Sequence, residues 1–446
     1  MDNKREHLGS RLGFIMLSAG CAIGCGNVWK FPWMTGENGG GVFVFIYIIC
    51  LIILGLPTMT MEFAMGRRSQ ASPVRMYQKI EKPGQKWHIH GYFALAGNVA
   101  LMTFYTVVTG WMIYYFIRFL TGESSDIGFG KMISDPAVNV IFMLISVAVG
   151  FGILSFNLQG GLERVTKYLM SALLVLMFVL MIHSLLLPGA KEGISFYLIP
   201  DFSKINGKVI VGAMNQAFFS LSIGIGAMAI FGSYIGKERS LLGESVNVII
   251  LDTAVAIVSG LIIFPSCFTF DIEVNAGPSL LFDTMATVFN NMSGGRVWGS
   301  LFFLFMIFAA LSTELGVFEN ILACVREMTG WKRPKSCIIC GIAIAALSTT
   351  TALGYSVLTF QPFAEGTAWL NFWDFIVSTN LLPLGAFIFS IFCCYKKGWG
   401  WDAFMEEANT GKGLKIKNWM KPVFKYFVPL CVLGLYIYGL VTFEWR

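Results

Sequence analysis

Apolar runs of about 20 residues recur along the whole chain with only short polar breaks, and a run of that length crosses a hydrocarbon core about 30 Å thick as one helix. The pattern predicts eleven spans, at 11–36, 40–66, 91–120, 136–156, 164–187, 208–235, 243–270, 297–328, 337–355, 367–395 and 421–443. Strands fit poorly. A membrane β-barrel alternates apolar and polar residues over roughly ten positions between turns, and stretches such as Val138 to Gly152 or Tyr168 to Leu187 do not alternate. The expected fold class is therefore all-α and polytopic. Segments 188–207 and 271–296 remain as long outer loops. Helical periodicity from Pro278 to Asn290 predicts a short hairpin in the second, and loops of this size often act as gates. The apolar stretch after Gly9 is too long for the core of a cleavable signal, so it is read as the first span.

Two runs contain residues that helices avoid. Gly20, Gly24 and Gly26 fall close together in the first, while Gly224 and Gly226 follow Ser220 and Ser222 in the sixth. Small residues also let membrane helices pack closely, and for the first run alone the two readings stand level. The recurrence five spans later favours a pair of interrupted helices. Broken backbone deep in a membrane is tolerated where it lines a cavity, and paired breaks in two halves point to a transport site. The halves are then 1–187, with spans one to five, and 188–395, with spans six to ten. Residues 396–446 add an inner loop and the eleventh span, making 1–446 a single transmembrane domain.

Composition agrees with the pattern. The 446 residues are 56% hydrophobic and 13% charged, with a mean hydropathy of +0.68, against roughly a quarter charged in soluble chains. The net charge of +6 is unevenly placed. Lys4, Arg5 and Arg11, then Arg67, Arg68, Arg75, Lys79, Lys82 and Lys86, then Arg326, Lys332, Arg333 and Lys335 mark inner loops, and acidic Asp271, Glu273 and Asp283 mark an outer one. The amino terminus is thus expected inside and, with an odd number of spans, Arg446 outside. Membrane topology accounts for the basic residues, so no nucleic-acid partner is implied. The ten cysteines are scattered; Cys50, Cys267 and Cys431 lie in apolar runs, where a thiol behaves as a small hydrophobe. Cys337-x-x-Cys340 and the His88, His90 pair lack further ligands nearby in sequence. No zinc-protease helix motif or helically spaced pair of catalytic acids suggests an enzyme, and no repeated pore-lining segment suggests a channel.

The residue order carries a resemblance. Arg11-Leu12-Gly13-Phe14-Ile15, then Gly20, Ala22, Gly24 and Gly26-Asn27, then Phe31-Pro32 and Gly36-Glu37-Asn38-Gly39-Gly40-Gly41, is similar to the neurotransmitter:sodium symporter family. So are Glu62 with Gly66-Arg67, Gln216-Ala217-Phe218-Phe219-Ser220-Leu221-Ser222, and Ser233-Tyr234. The likeness covers nearly the whole chain. It implies a LeuT fold of two inverted five-helix repeats plus one extra C-terminal helix, in a bacterial inner membrane. It also implies sodium-coupled import of a small amino acid by alternating access. Whether the protein is a monomer or a homodimer stays open.

By that resemblance, one sodium ion takes the Ala22 carbonyl, Asn27, Ser220, Asp252 and the substrate carboxylate. A second takes the Gly20, Ile23 and Ala309 carbonyls with the Ser312 and Thr313 hydroxyls. Isolated hydroxyls of this kind more often bond back to their own helix; the family context favours the ion. The substrate carboxylate is expected at the amides around Gly24 and Gly26, with Tyr105 donating to it, Phe219 closing above, and Ser222 and Thr313 alongside. Cys21, Cys25, Leu101, Ile225 and Val317 supply an apolar wall. Asp252 stands where relatives carry asparagine, and Ala256 offers chloride no ligand. The negative charge is therefore expected from Asp252 itself, with no chloride requirement and with a proton able to return on the empty carrier. Glu314 stands where relatives carry a small residue. It could select a cationic amino acid or amine, bond a polar side chain, or hold its own proton, with neutral aliphatic or aromatic amino acids kept slightly ahead. The inner gate implied is Arg5 with Glu327 and Tyr234. The outer is Lys30 with Asp374, in a weaker or water-mediated contact because lysine lacks arginine's planar fork. A sodium-dependent amino-acid sensor that moves nothing is the reading from another class.

Overall fold

The computed structural model describes residues 8–124, 128–274, 277–361 and 367–443. Among these, every regular element is helical, apart from a single β-bridge between Arg239 and Lys412. Among the described residues, nine helices are long and apolar enough to cross a membrane, and a tenth crossing comes from Arg11–Ala22 and Gly26–Glu37 taken together, which meet at a 50° bend. The sixth run is also divided. Gly207–Ser220 and Ala227–Gly232 are separated by six non-helical residues at 221–226, and neither piece is long enough to cross alone. Ser10 caps the first helix by accepting from the Gly13 amide at 3.0 Å. Asn206 does the same for the sixth run, accepting from Val209 at 3.0 Å.

Burial ranks the spans. In their most apolar windows, Gly295–Thr329 is 83% buried and His88–Thr121 is 78% buried, against 28% for Leu158–Leu185 and for Asn418–Val441. The eighth span carries Ser312, Thr313, Glu314, Glu319 and Asn320 inside its apolar run, all buried. A helix with that content cannot face lipid, so it packs along the third span and against the first, fourth and fifth. The fifth and eleventh, apolar over most of their length and little buried, are the spans most open to lipid.

Several boundaries move. The second span continues to Ser69 rather than 66, which places Arg67 inside the helix instead of in a basic loop. Arg67 is 1% exposed, pairs with Glu407 at 2.7 Å through Nε, and also donates to the carbonyls of Arg239 and Glu407. The fifth span starts at Leu158, and the ninth is Arg333–Ala352. In the long connection before the eighth span, Gly277–Leu280 forms one 3₁₀ turn and Thr284–Asn291 a short helix. The connection before the sixth contains the helix Ala190–Leu198.

Breaking one side of a buried ion pair strands the other charge, at a cost of about 3–5 kcal/mol. Arg67→Met is therefore expected to lower the thermal unfolding midpoint markedly, and Arg67→Met with Glu407→Leu to recover much of the loss; melting both variants in detergent checks it.

Candidate functional site

The two divided runs lie against one another. A Cβ on Gly26 would meet the Phe219 ring and the Ser220 Cα at 3.1 Å, Gln216 donates its side-chain amide to the Gly26 carbonyl at 2.6 Å, and Ser222 donates to the Cys21 carbonyl at 3.1 Å. Each break leaves main-chain groups without helical partners, which must find others in an apolar interior. In the first, Ile23 is extended, the Gly24 amide donates to Asn27 Oδ1 at 3.3 Å, and the Cys25 amide donates to the Tyr105 hydroxyl at 2.8 Å. In the sixth, Ser222, Gly224 and Gly226 all have positive φ, of 51°, 98° and 70°. Glycine takes that backbone freely; serine does not. Glu62 braces the turn from the second span, its two carboxylate oxygens accepting from the Gly224 amide at 2.5 Å and the Met228 amide at 3.1 Å. Asn98 on the third span donates to the Ile225 carbonyl at 2.8 Å.

Oxygens gather on both sides of the first break. On one side, Asn27 donates to the Asp252 carboxylate at 2.8 Å and to its carbonyl at 3.0 Å, while Tyr47 bridges Ser220 at 2.9 Å and Asp252 at 3.5 Å. All four residues are fully buried. On the other side, Ser312 lies 3.2 Å from the Ile23 carbonyl and 2.8 Å from that of Ala309, and Thr313 lies 3.3 Å from the Gly20 carbonyl. The first cluster has a carboxylate among neutral oxygens; the second is neutral throughout. Both contain only the hard oxygen donors that suit a hard cation.

Between the clusters lies a narrow cavity of about 10 Å³, room for about one water molecule. Ala22, Gly26, Tyr105, Ser222 and Thr313 line it together with the apolar side chains of Leu101, Phe219, Ile225 and Leu382. A Cβ on Gly24 would collide with the Thr313 and Tyr105 hydroxyls, so the lack of a side chain there lets both hydroxyls reach the break. Cys21, Cys25, Ser220 and Val317 are buried nearby but do not form its wall. Glu314 does not line it either. Fully buried, it turns both carboxyl oxygens to the Ser146 hydroxyl on the fourth span, at 2.8 Å each.

At one mouth the Lys30 ammonium contacts both Asp374 oxygens, at 2.6 and 2.7 Å, and Ser378 at 3.1 Å, and it sits 4.3 Å from the Phe219 ring centroid. The direct contact corrects the expectation of a weak or water-mediated one. With the lysine 7% exposed, these neighbours fix the ammonium without needing arginine's fork. At the other mouth Tyr234 donates to Glu319 at 2.9 Å, and Glu319 pairs with Arg333 at 2.6 Å. Glu327 accepts from the amide and hydroxyl of Ser72, at 3.0 and 2.7 Å. Arg5 lies outside the described residues. Tyr47, Leu382 and the Glu319–Arg333 pair are additions to the residues read from sequence. An acid buried in an apolar run was the available signal for Glu319, and neither Tyr47 nor Leu382 carried one.

Comparison with known proteins gives the same picture. The profile of the sodium:neurotransmitter symporter family matches residues 5–125 and 123–446. A sodium-dependent transporter of Haemophilus influenzae is 34% identical over 98% of this chain and 99% of its own, and the sodium-dependent transporter YhdH of Bacillus subtilis is 31% identical over 99% and 100%. Among solved structures, that of MhsT in complex with L-phenylalanine superposes with a TM-score of 0.89 at 33% identity, over 97% of this chain and 99% of that one.

A hydrogen bond to a buried charged group contributes about 1.5–3 kcal/mol. Glu62→Gln keeps the shape but turns an N–H toward one of the two amides, so hydrogen exchange across 221–228 is expected to accelerate at least roughly tenfold. Exchange within the third span should stay unchanged. Exchange mass spectrometry on the purified protein reads both.

Proposed function

The chain belongs to the sodium:neurotransmitter symporter family and is a multi-pass, sodium-dependent transporter of LeuT fold rather than an enzyme; from that premise we propose that it imports a neutral aliphatic or aromatic amino acid by alternating access. The observation that carries the substrate class is the cavity, whose wall joins the first break, Tyr105, Ser222 and Thr313 to the apolar side chains of Leu101, Phe219, Ile225 and Leu382. The polar groups suit a zwitterion and the apolar ones a hydrocarbon side chain, and the wall widens from its present volume of about 10 Å³ to admit them. The complex of MhsT with L-phenylalanine supports a ligand of that kind. The placement of Glu314 on Ser146 speaks against a cationic side chain, because it turns that acid away from the cavity.

The carboxylate lies at the amides of residues 24–26, where the second half of the first span directs its positive dipole end, and Tyr105 gives up the Cys25 amide to bond it. The ammonium meets carbonyls of the two breaks. One sodium ion joins that carboxylate to the Ala22 carbonyl, Asn27, Ser220 and Asp252. The other ties the Gly20 and Ile23 carbonyls to Ala309, Ser312 and Thr313, and so clamps the first span to the eighth. A buried cation is costly unless compensated, and Asp252 supplies the compensating charge without chloride. Substrate and both ions thus favour closure. Lys30 and Asp374, over Phe219, shut the outer mouth, while Tyr234 and Glu327 with Arg5 shut the inner. The basic loops place the amino terminus in the cytoplasm. Eleven crossings, in inverted repeats 1–187 and 188–395 followed by a last helix, then put the carboxyl terminus outside a bacterial inner membrane.

Proteoliposomes with an inward sodium gradient are expected to accumulate labelled leucine or phenylalanine. Uptake should persist when gluconate replaces chloride and fall at least roughly tenfold in Asp252→Ala, whose first ion site has lost its charge. A chloride requirement in the wild type would reject the role of Asp252. Binding without accumulation would make the protein a sensor.

A further inference from the structure

We propose that Leu382, on the tenth span, is a specificity-determining residue whose side chain sets the bulk of the amino-acid side chain the cavity accepts. The inference rests on the amino-acid reading above. Leu382 is 1% exposed and lines the cavity beside Ile225, although its span is unbroken and contributes no residue to the clusters of oxygens.

It gets there because the tenth span meets the break in the sixth backbone to backbone. A Cβ on Gly385 would fall onto the Gly224 carbonyl oxygen, and one on Gly224 would fall onto the Leu382 carbonyl oxygen. Only glycine at both places allows the approach, and Gly224 also needs its φ of 98°. Ile225, the next residue, packs on Gly97 of the third span together with Leu381. The part of the cavity wall that holds Leu382 and Ile225 is therefore a joint of the third, sixth and tenth spans.

The same span links this wall to the outer mouth. Asp374, which holds Lys30, is followed directly by a wide π-helical turn, Phe375–Leu381, and that turn ends against Leu382. Such turns cluster at functional positions because the extra residue shifts the helix face locally. Here the shift aims Leu382 at the cavity two turns after Asp374 faces the mouth. A ligand side chain too large for the space presses on the segment that must settle for Asp374 to reach Lys30.

Calorimetric binding of alanine, leucine, phenylalanine and tryptophan to the purified full chain in sodium buffer tests this. Removing three carbons in Leu382→Ala should improve tryptophan relative to alanine at least roughly tenfold, and Leu382→Phe should weaken phenylalanine and tryptophan by as much while leaving alanine within about threefold. Leu382→Val should move in the alanine direction by a smaller step, and it covers the case in which Leu382→Ala fails to fold. Equal shifts for all four ligands, or an unchanged order of preference, would overturn the proposal and reduce Leu382 to packing. A wild type that binds none of the four in sodium would instead remove the amino-acid reading, and this inference with it.

Discussion

The constraint on which the rest of this structure depends is the satisfaction of main-chain groups released where two helices stop inside a membrane-spanning bundle. Without water, each unpaired amide or carbonyl costs several kcal/mol, so a break is stable only if the surroundings are built around it. Here they are. Glu62 holds two amides of the sixth run, Asn98 and Gln216 hold one carbonyl at each break, and Tyr105 and Asn27 take the amides of Cys25 and Gly24. The carbonyls of Gly20 and Ile23 turn instead to hydroxyls of the eighth span. In the proposed function, groups so held exchange a protein partner for a cation or a zwitterion.

The packing follows from that need. Polar residues that serve the breaks sit on the third and eighth spans, which must then lie inside, while the fifth and eleventh are largely open to lipid. Ion pairs stand at the two mouths, where Lys30 with Asp374 and Arg333 with Glu319 pair across different spans. The acids at the centre bond neutral groups instead: Asp252 the Asn27 amide and Tyr47, Glu62 main-chain amides of the sixth run, and Glu314 the Ser146 hydroxyl.

Much of this was legible in the sequence, and the reasons differ by feature. The spans were readable because apolar runs of membrane-crossing length have few alternatives. The breaks were readable because glycine and serine cluster at two related places. Helix ends were less so: Arg67 read as a loop residue, since nothing local announces that Glu407, far along the chain, neutralises it within the helix. The direction of a side chain was also hidden. Glu314 neighbours Thr313 on the eighth span, yet one lines the cavity and the other bonds Ser146, a choice made by the fourth span. Leu382 is an ordinary leucine in an apolar run, and only the meeting of Gly224 with Gly385 gives it a place at the site. The Lys30 contact was underestimated because residue type alone does not reveal the Phe219 ring and Ser378 beside it.

If the released main-chain oxygens and amides bind cation and amino acid together, the two affinities are thermodynamically linked. Titrating amino acid at several fixed sodium concentrations, and sodium at several fixed amino-acid concentrations, on one purified sample measures this directly. The account predicts that sodium tightens the amino acid many-fold and that the amino acid tightens sodium by the same factor. Amino-acid affinity that is indifferent to sodium, with potassium or a bulky organic cation in its place, would contradict it.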